Sequence, residues 1–157
     1  MKAALVVALP LTLLLSAAGL AAPPPAGAND TARADIPASY LGLYRESGAR
    51  FAVPWQLLAA IGRVESDHGQ NPACYRPNEA GAIGPMQFLP ATFREYSWAP
   101  GVLDPDPLNP HDAILAAGAM LQNDGASTDL SGAIYAYNHS ASYVALVLSW
   151  AHRYGWQ

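Results

Sequence analysis

The sequence predicts a mostly α-helical single domain interrupted by one Gly/Pro-rich insertion, on three observations. Apolar residues recur at helical spacing in several segments, among them Leu57, Leu58, Ile61 and Val64. Prolines and small polar residues open those segments, and glycines close several of them. The stretch from Gln70 to Pro85 has no helical period and is punctuated by Pro72, Pro77, Gly81 and Gly84. The chain has 157 residues, enough for one domain.

Taken in order, residues 1–28 read as a secretory signal peptide: one lysine, Lys2, then a long apolar run and the small-residue pattern Ala26-Gly27-Ala28. Cleavage is expected after Ala28. A cut near Ala22 would place Pro23 just past the scissile bond, and an uncleaved anchor is the other alternative, since residues 3–22 are about long enough to span a bilayer. No cysteine follows the run, which argues against a lipid anchor. Residues 29–36 continue a Pro/Ala/Gly-rich flexible linker that starts at Pro23. The domain is expected over 37–157.

Pro37 opens a first helix running to about Ala49, and Pro54 the next, over 54–66, ended by Asp67-His68-Gly69. After the insertion, expected as loop or short strands, Pro90 opens a short helix to about Ser97. Asn109-Pro110 with Asp112 is an N-cap, a first-turn proline and an early acid, for a helix ending at Asn123-Asp124-Gly125. Two more follow: 129–138, with Leu130, Ile134 and Tyr137 on one face, and 140–154, expected to bury Tyr143, Val147, Trp150 and Tyr154.

Without residues 1–28 the chain has seven arginines against twelve acids, a net charge of −5. No basic patch is present, which argues against nucleic acid and anionic membrane surfaces as partners. Cys74 is the sole cysteine, so no internal disulfide forms. It is expected as a buried thiol, with a free or intermolecular thiol as the alternative. His68, His111, His139 and His152 lack paired metal-ligand spacing, so no metal or cofactor is expected.

The chemistry concentrates on Glu65. With Leu58 and Ile61 it is spaced i, i+3, i+7, so a carboxylate shares a helix face with core residues. Burial disfavours the charged form, and the helix C-terminus disfavours negative charge as well. Both raise the pKa toward the range, roughly 6–7, in which a glutamate serves as a general acid. The competing reading is a structural Glu paired with Arg76 or Arg94; Arg63 lies on another face. Downstream, Gly81 and Gly84 permit tight turns or close backbone approach. Met86 offers an apolar surface for a sugar, and Gln87 a donor and an acceptor for an acetamido group. An ordinary turn before a strand explains the same stretch. Tyr137 and Asn138 end a helix, where Tyr137 is expected to hydrogen-bond Glu65 and Asn138 to contact a sugar. A core aromatic and a C-terminal cap are the plain alternatives. Trp98, in a loop, is the best indole for stacking on a sugar. Ser66 and His68 are too close, and lack a nucleophile elbow, for a serine hydrolase.

Three motifs in order, Glu65-Ser66, Gly84-Pro85-Met86-Gln87 and Ala136-Tyr137-Asn138, resemble the lytic transglycosylases, which share a fold with goose-type lysozyme. The resemblance covers roughly residues 50–155; Pro85 stands where that family most often has Leu. It implies a lysozyme-like helical domain whose Gly/Pro-rich loop or β-hairpin lines the cleft. It also implies peptidoglycan glycan strands as substrate and cleavage of the MurNAc-β-1,4-GlcNAc bond with a 1,6-anhydro product. Glu65 would be acid then base, Ser66 would hold the loop or substrate, and Gly84, Met86, Gln87, Tyr137 and Asn138 would support binding. An ordinary glycosidase needs a second carboxylate about 5–9.5 Å from the first. Glu79 is the candidate, and a solvated loop charge is its plain reading; Glu79 facing the cleft would favour a muramidase hydrolysing the same bond. A non-catalytic wall-binding module and a structural helical domain are the rivals from other classes. The expected state is a monomer, secreted or wall-associated.

Overall fold

The computed structural model describes residues 34–98 and 103–157. The signal-peptide expectation and most of the linker lie outside them. The described residues form six α-helices: α1 Ala38–Phe51, α2 Trp55–Ser66, α3 Pro90–Tyr96, α4 Pro110–Asn123, α5 Leu130–Asn138 and α6 Ala141–Arg153. The fold is mostly α, as the helical periods predict. No helix among the described residues is long and apolar enough to cross a membrane.

The boundaries follow from local chemistry. Asn109, Asp129 and Ser140 each accept a hydrogen bond from a first-turn amide through the side chain, satisfying a donor that the helix leaves unpaired. Pro90 and Pro110 occupy first-turn positions, where the missing N–H costs nothing. At the other ends Ala52, Asp67 and His139 turn left-handed and stop α1, α2 and α5.

The helix α2 is central. Leu57, Leu58, Ala59, Ala60 and Ile61 are all fully buried in succession, so its middle is covered on every side. It packs on α1, α4, α6 and the insertion. A charge placed in its last turn therefore enters the interior with the helix. Trp150 is half-buried rather than buried: the guanidinium groups of Arg63 and Arg153 both lie over its ring, at 4.7 and 4.2 Å from its centroid. The cations draw the indole face outward to where their own charge stays hydrated.

The insertion differs from expectation in one element. Pro72–Tyr75 forms a 3-10 turn, because the Asn71 side chain accepts from the Ala73 amide and Pro72 takes the first position. Strand pairing is reduced to a single antiparallel bridge, Ile83 to Phe88, enclosing Gly84-Pro85-Met86-Gln87 as a four-residue hairpin loop. Cys74, within the 3-10 turn, is a buried thiol.

His68, just past α2, is a buried core histidine. Nδ1 lies 3.0 Å from the Tyr44 hydroxyl and Nε2 3.2 Å from that of Tyr154. Burial, aided by the Arg63 charge, lowers its pKa to about 4, against the opposing pull of Asp67. The ring resonances of His68 should therefore stay constant in an NMR titration from pH 7 to pH 5. A ring that protonates in that interval contradicts this packing.

Candidate active site

The site is assembled where the end of α2 meets the hairpin loop and the start of α6. Glu65 occupies the last turn of α2 and is partly buried. Burial pushes its carboxyl up to about 7 from the ordinary 4.5, and one hydrogen bond opposes that shift. The bond comes from Tyr143, whose hydroxyl donates to Oε1 at 2.5 Å. No arginine figures in the balance that sets its ionisation. Arg63 is engaged elsewhere, with Asp67 one turn on and with the Trp150 ring.

The expected bond from Tyr137 to Glu65 is therefore made by a different tyrosine. Tyr137 instead donates to the Met86 carbonyl at 2.9 Å, and its ring stacks parallel on that of Tyr143 at 6.5 Å between centroids. The turn at His139 brings the first turn of α6 beside the last turn of α5, so Tyr143 reaches inward next to Tyr137. In the sequence Tyr143 looks like a core residue. Its polar tip was the one available signal, since a buried tyrosine hydroxyl needs a partner.

Ser66 fastens the hairpin to the acid-bearing helix. Its Oγ donates to the Pro85 carbonyl at 2.7 Å and accepts from the Gly69 amide at 2.7 Å. Gly84 is left-handed, with φ +84°, and its amide donates to the Cys74 carbonyl at 2.7 Å. A Cβ there would lie 1.9 Å from the Pro107 carbonyl oxygen. Met86 is fully buried, so its thioether packs in the core rather than offering a surface to a ligand. Gln87 is itself left-handed, with φ +49°. Its amide nitrogen donates to the Gly84 carbonyl at 2.9 Å and to that of Cys74 at 3.4 Å, and Oε1 accepts from Asn78 at 3.3 Å. Both amide protons are thus spent on the turn, leaving Oε1 as the only polar group with room for a further bond.

Asn138 ends α5 and is half-buried. Glu79 is exposed in a tight turn closed by the Asn78 side chain, which accepts from the Ala80 and Ala82 amides. Trp98 is 72% exposed and lines a cleft beside α3 rather than the surroundings of Glu65.

Tyr143→Phe should raise the Glu65 pKa further, because it removes the one interaction holding the carboxyl down. A pH–activity profile should then show its alkaline limb moved to higher pH, and an unmoved limb contradicts the hydroxyl's part in the titration.

A helical domain built around one partly buried carboxylic acid, held by a tyrosine and flanked by a clamped hairpin, is suited to donating and retrieving a proton. The chain belongs to the transglycosylase SLT domain family, whose model matches residues 42–152. That match places it in the lysozyme-like superfamily, and the family's activity is lytic transglycosylation of peptidoglycan. No curated protein and no solved structure matches the chain.

Proposed function

We propose that the chain is an exported peptidoglycan lytic transglycosylase that cleaves the MurNAc-β-1,4-GlcNAc bond with Glu65 as its single acid and base. The observation that carries this reading is the partly buried Glu65 with a pKa pushed up to about 7, hydrogen-bonded by Tyr143 alone among the groups that set its titration. Such a group is protonated in a large fraction of molecules at neutral pH and, once ionised, is a competent base there.

In the first step Glu65 gives its proton to the bridging oxygen as the C1–O bond breaks and positive charge develops at C1. The carboxylate left behind stabilises that charge. In the second step the C6 hydroxyl of the same muramyl residue attacks C1, and Glu65 takes its proton. The 1,6-anhydro ring closes, Glu65 is again protonated, and no water is consumed. Tyr143 orients Oε1 and steadies the ionised form between the two transfers. Ser66, Gly84 and the backbone of Met86 place the hairpin beside the acid, with Oε1 of Gln87 and the Asn138 amide available to the sugars.

Mass spectrometry of the muropeptides released from purified wall tests the chemistry. Anhydro ends are expected. Reducing ends, heavier by one water, would instead assign a muramidase with a water-activating carboxylate such as Glu79.

A further inference from the structure

Beside α3 lies a cleft of about 480 Å³ that the chemistry above does not use. Phe93, Pro105 and Pro107 form apolar walls, and the largely exposed Trp98 adds an indole. Two opposite charges, Arg94 and Asp104, line the same space, both exposed. Ser97, at 4% exposure, also lines it, and its Oγ has no hydrogen-bond partner among the described residues. A buried hydroxyl left in that state costs free energy, which a polar ligand atom would recover.

The cleft and the acid lie on a common structural route. The Pro107 carbonyl abuts Gly84 of the hairpin loop. Phe93 packs on Phe88 at 5.7 Å between centroids, and Phe88 on Tyr137 at 5.8 Å. Tyr137 stacks on Tyr143, which holds Glu65. The cleft is therefore joined to the acid through the hairpin and this chain of rings.

We propose that this cleft binds the peptide stem branching from the muramyl residue, a reading that rests on the proposed function. The stem carries free carboxylates and, at its diamino residue, an amino group. Arg94 would pair with a carboxylate and Asp104 with the ammonium. Ser97 Oγ would bond a stem amide, and Trp98 and Phe93 would cover its methyl and methylene groups. An extended peptide advances about 3.3–3.6 Å per residue, so a stem of a few residues reaches past one hairpin.

Calorimetric titration of the full chain with an isolated stem tetrapeptide, lacking any sugar, tests the cleft directly. Saturable binding is expected, unchanged in Glu65→Gln and weakened about tenfold or more in Arg94→Gln and Asp104→Asn. In turnover assays the same two variants should raise KM about tenfold on intact strands with kcat unchanged. On glycan strands stripped of their stems they should match the wild type. Absence of tetrapeptide binding overturns the proposal. So does an equal loss on intact and stripped strands, which would make the cleft part of the glycan path. If no strand of either kind is cleaved by the wild type, it is the proposed function that fails, and the tetrapeptide titration still decides what the cleft takes.

Discussion

Glu65→Gln should lower muropeptide release from purified wall by about a thousandfold or more, because the substitution removes one group from both proton transfers; each general acid–base contribution is typically about 10²–10⁴. The variant should nevertheless be the more stable protein at neutral pH. A carboxyl whose pKa rises from 4.5 to about 7 on folding keeps its proton where the unfolded chain has released it. Between those values the native state binds more protons than the unfolded state, so stability falls as pH rises through the interval. The full penalty, present above about pH 7, is on the order of 3 kcal/mol. Glutamine has nearly the same shape, still accepts from Tyr143 and carries no charge. Its gain should be roughly 3 kcal/mol above pH 7, on the order of 10 °C in Tm, and should vanish below about pH 4.5. Stability measured by denaturant titration from pH 4 to pH 8 checks the sign. A variant less stable than wild type at pH 8 contradicts the buried-acid account, and wild-type turnover by the variant removes Glu65 from the mechanism.

The His68 titration has the opposite sign and nearly the same window. Its folded pKa is depressed from 6.5 to about 4, so the unfolded chain takes up a proton first as pH falls. Stability from this group is complete above pH 6.5 and is lost as pH drops toward 4. In the wild type the two slopes oppose each other and flatten the profile. In Glu65→Gln the opposing Glu65 slope is gone, so the His68 contribution to the variant's stability should rise with pH across that interval and then level off.

Gly84→Ala should cost roughly 3–4 kcal/mol, a large share of the about 5–15 kcal/mol that holds a domain together. Two effects combine. The left-handed backbone disfavours any Cβ by about 1–2 kcal/mol, and this Cβ would stand 1.9 Å from the Pro107 carbonyl oxygen and 2.8 Å from its carbon. Those are backbone atoms in the segment leading into α4, so they give way only by moving that segment or the hairpin. Gly81→Ala is the matched control. Its φ is also +84°, but no atom lies within 4 Å of a new Cβ, so it should lose only the conformational part, about 1–2 kcal/mol. Equal midpoints for the two variants in denaturant would show that the close approach to Pro107 carries no weight. A displaced hairpin also pulls Pro85 from Ser66 and Met86 from Tyr137, so folded Gly84→Ala should turn over slowly even where Gly81→Ala is normal.

The helices were legible in the sequence because their signals are local. Asn109-Pro110, Asp129 and Ser140 act on amides two or three residues away, and the buried run of α2 declares itself without reference to any other element. The same locality exposed the anomaly of Glu65, a carboxylate in register with Leu58 and Ile61. Asn71-Pro72 is a cap of the same kind as Asn109-Pro110, but the surrounding prolines and glycines mask it, so the 3-10 turn is not legible in the sequence.

What the sequence alone determined, then, is a set of helices and one acid directed toward their common interior. Tertiary packing decided the acid's company. Tyr143 rather than Tyr137 holds Glu65, Ser66 closes on Pro85, Met86 faces inward, and Gln87 spends its amide protons on its own turn. Glu65 and Tyr143 are 78 positions apart, and Tyr137 and Met86 are 51 apart. A period or a cap reports on one turn of chain; which hydroxyl meets which carboxylate depends on how helices far apart in sequence are brought together, and only the packed core sets that.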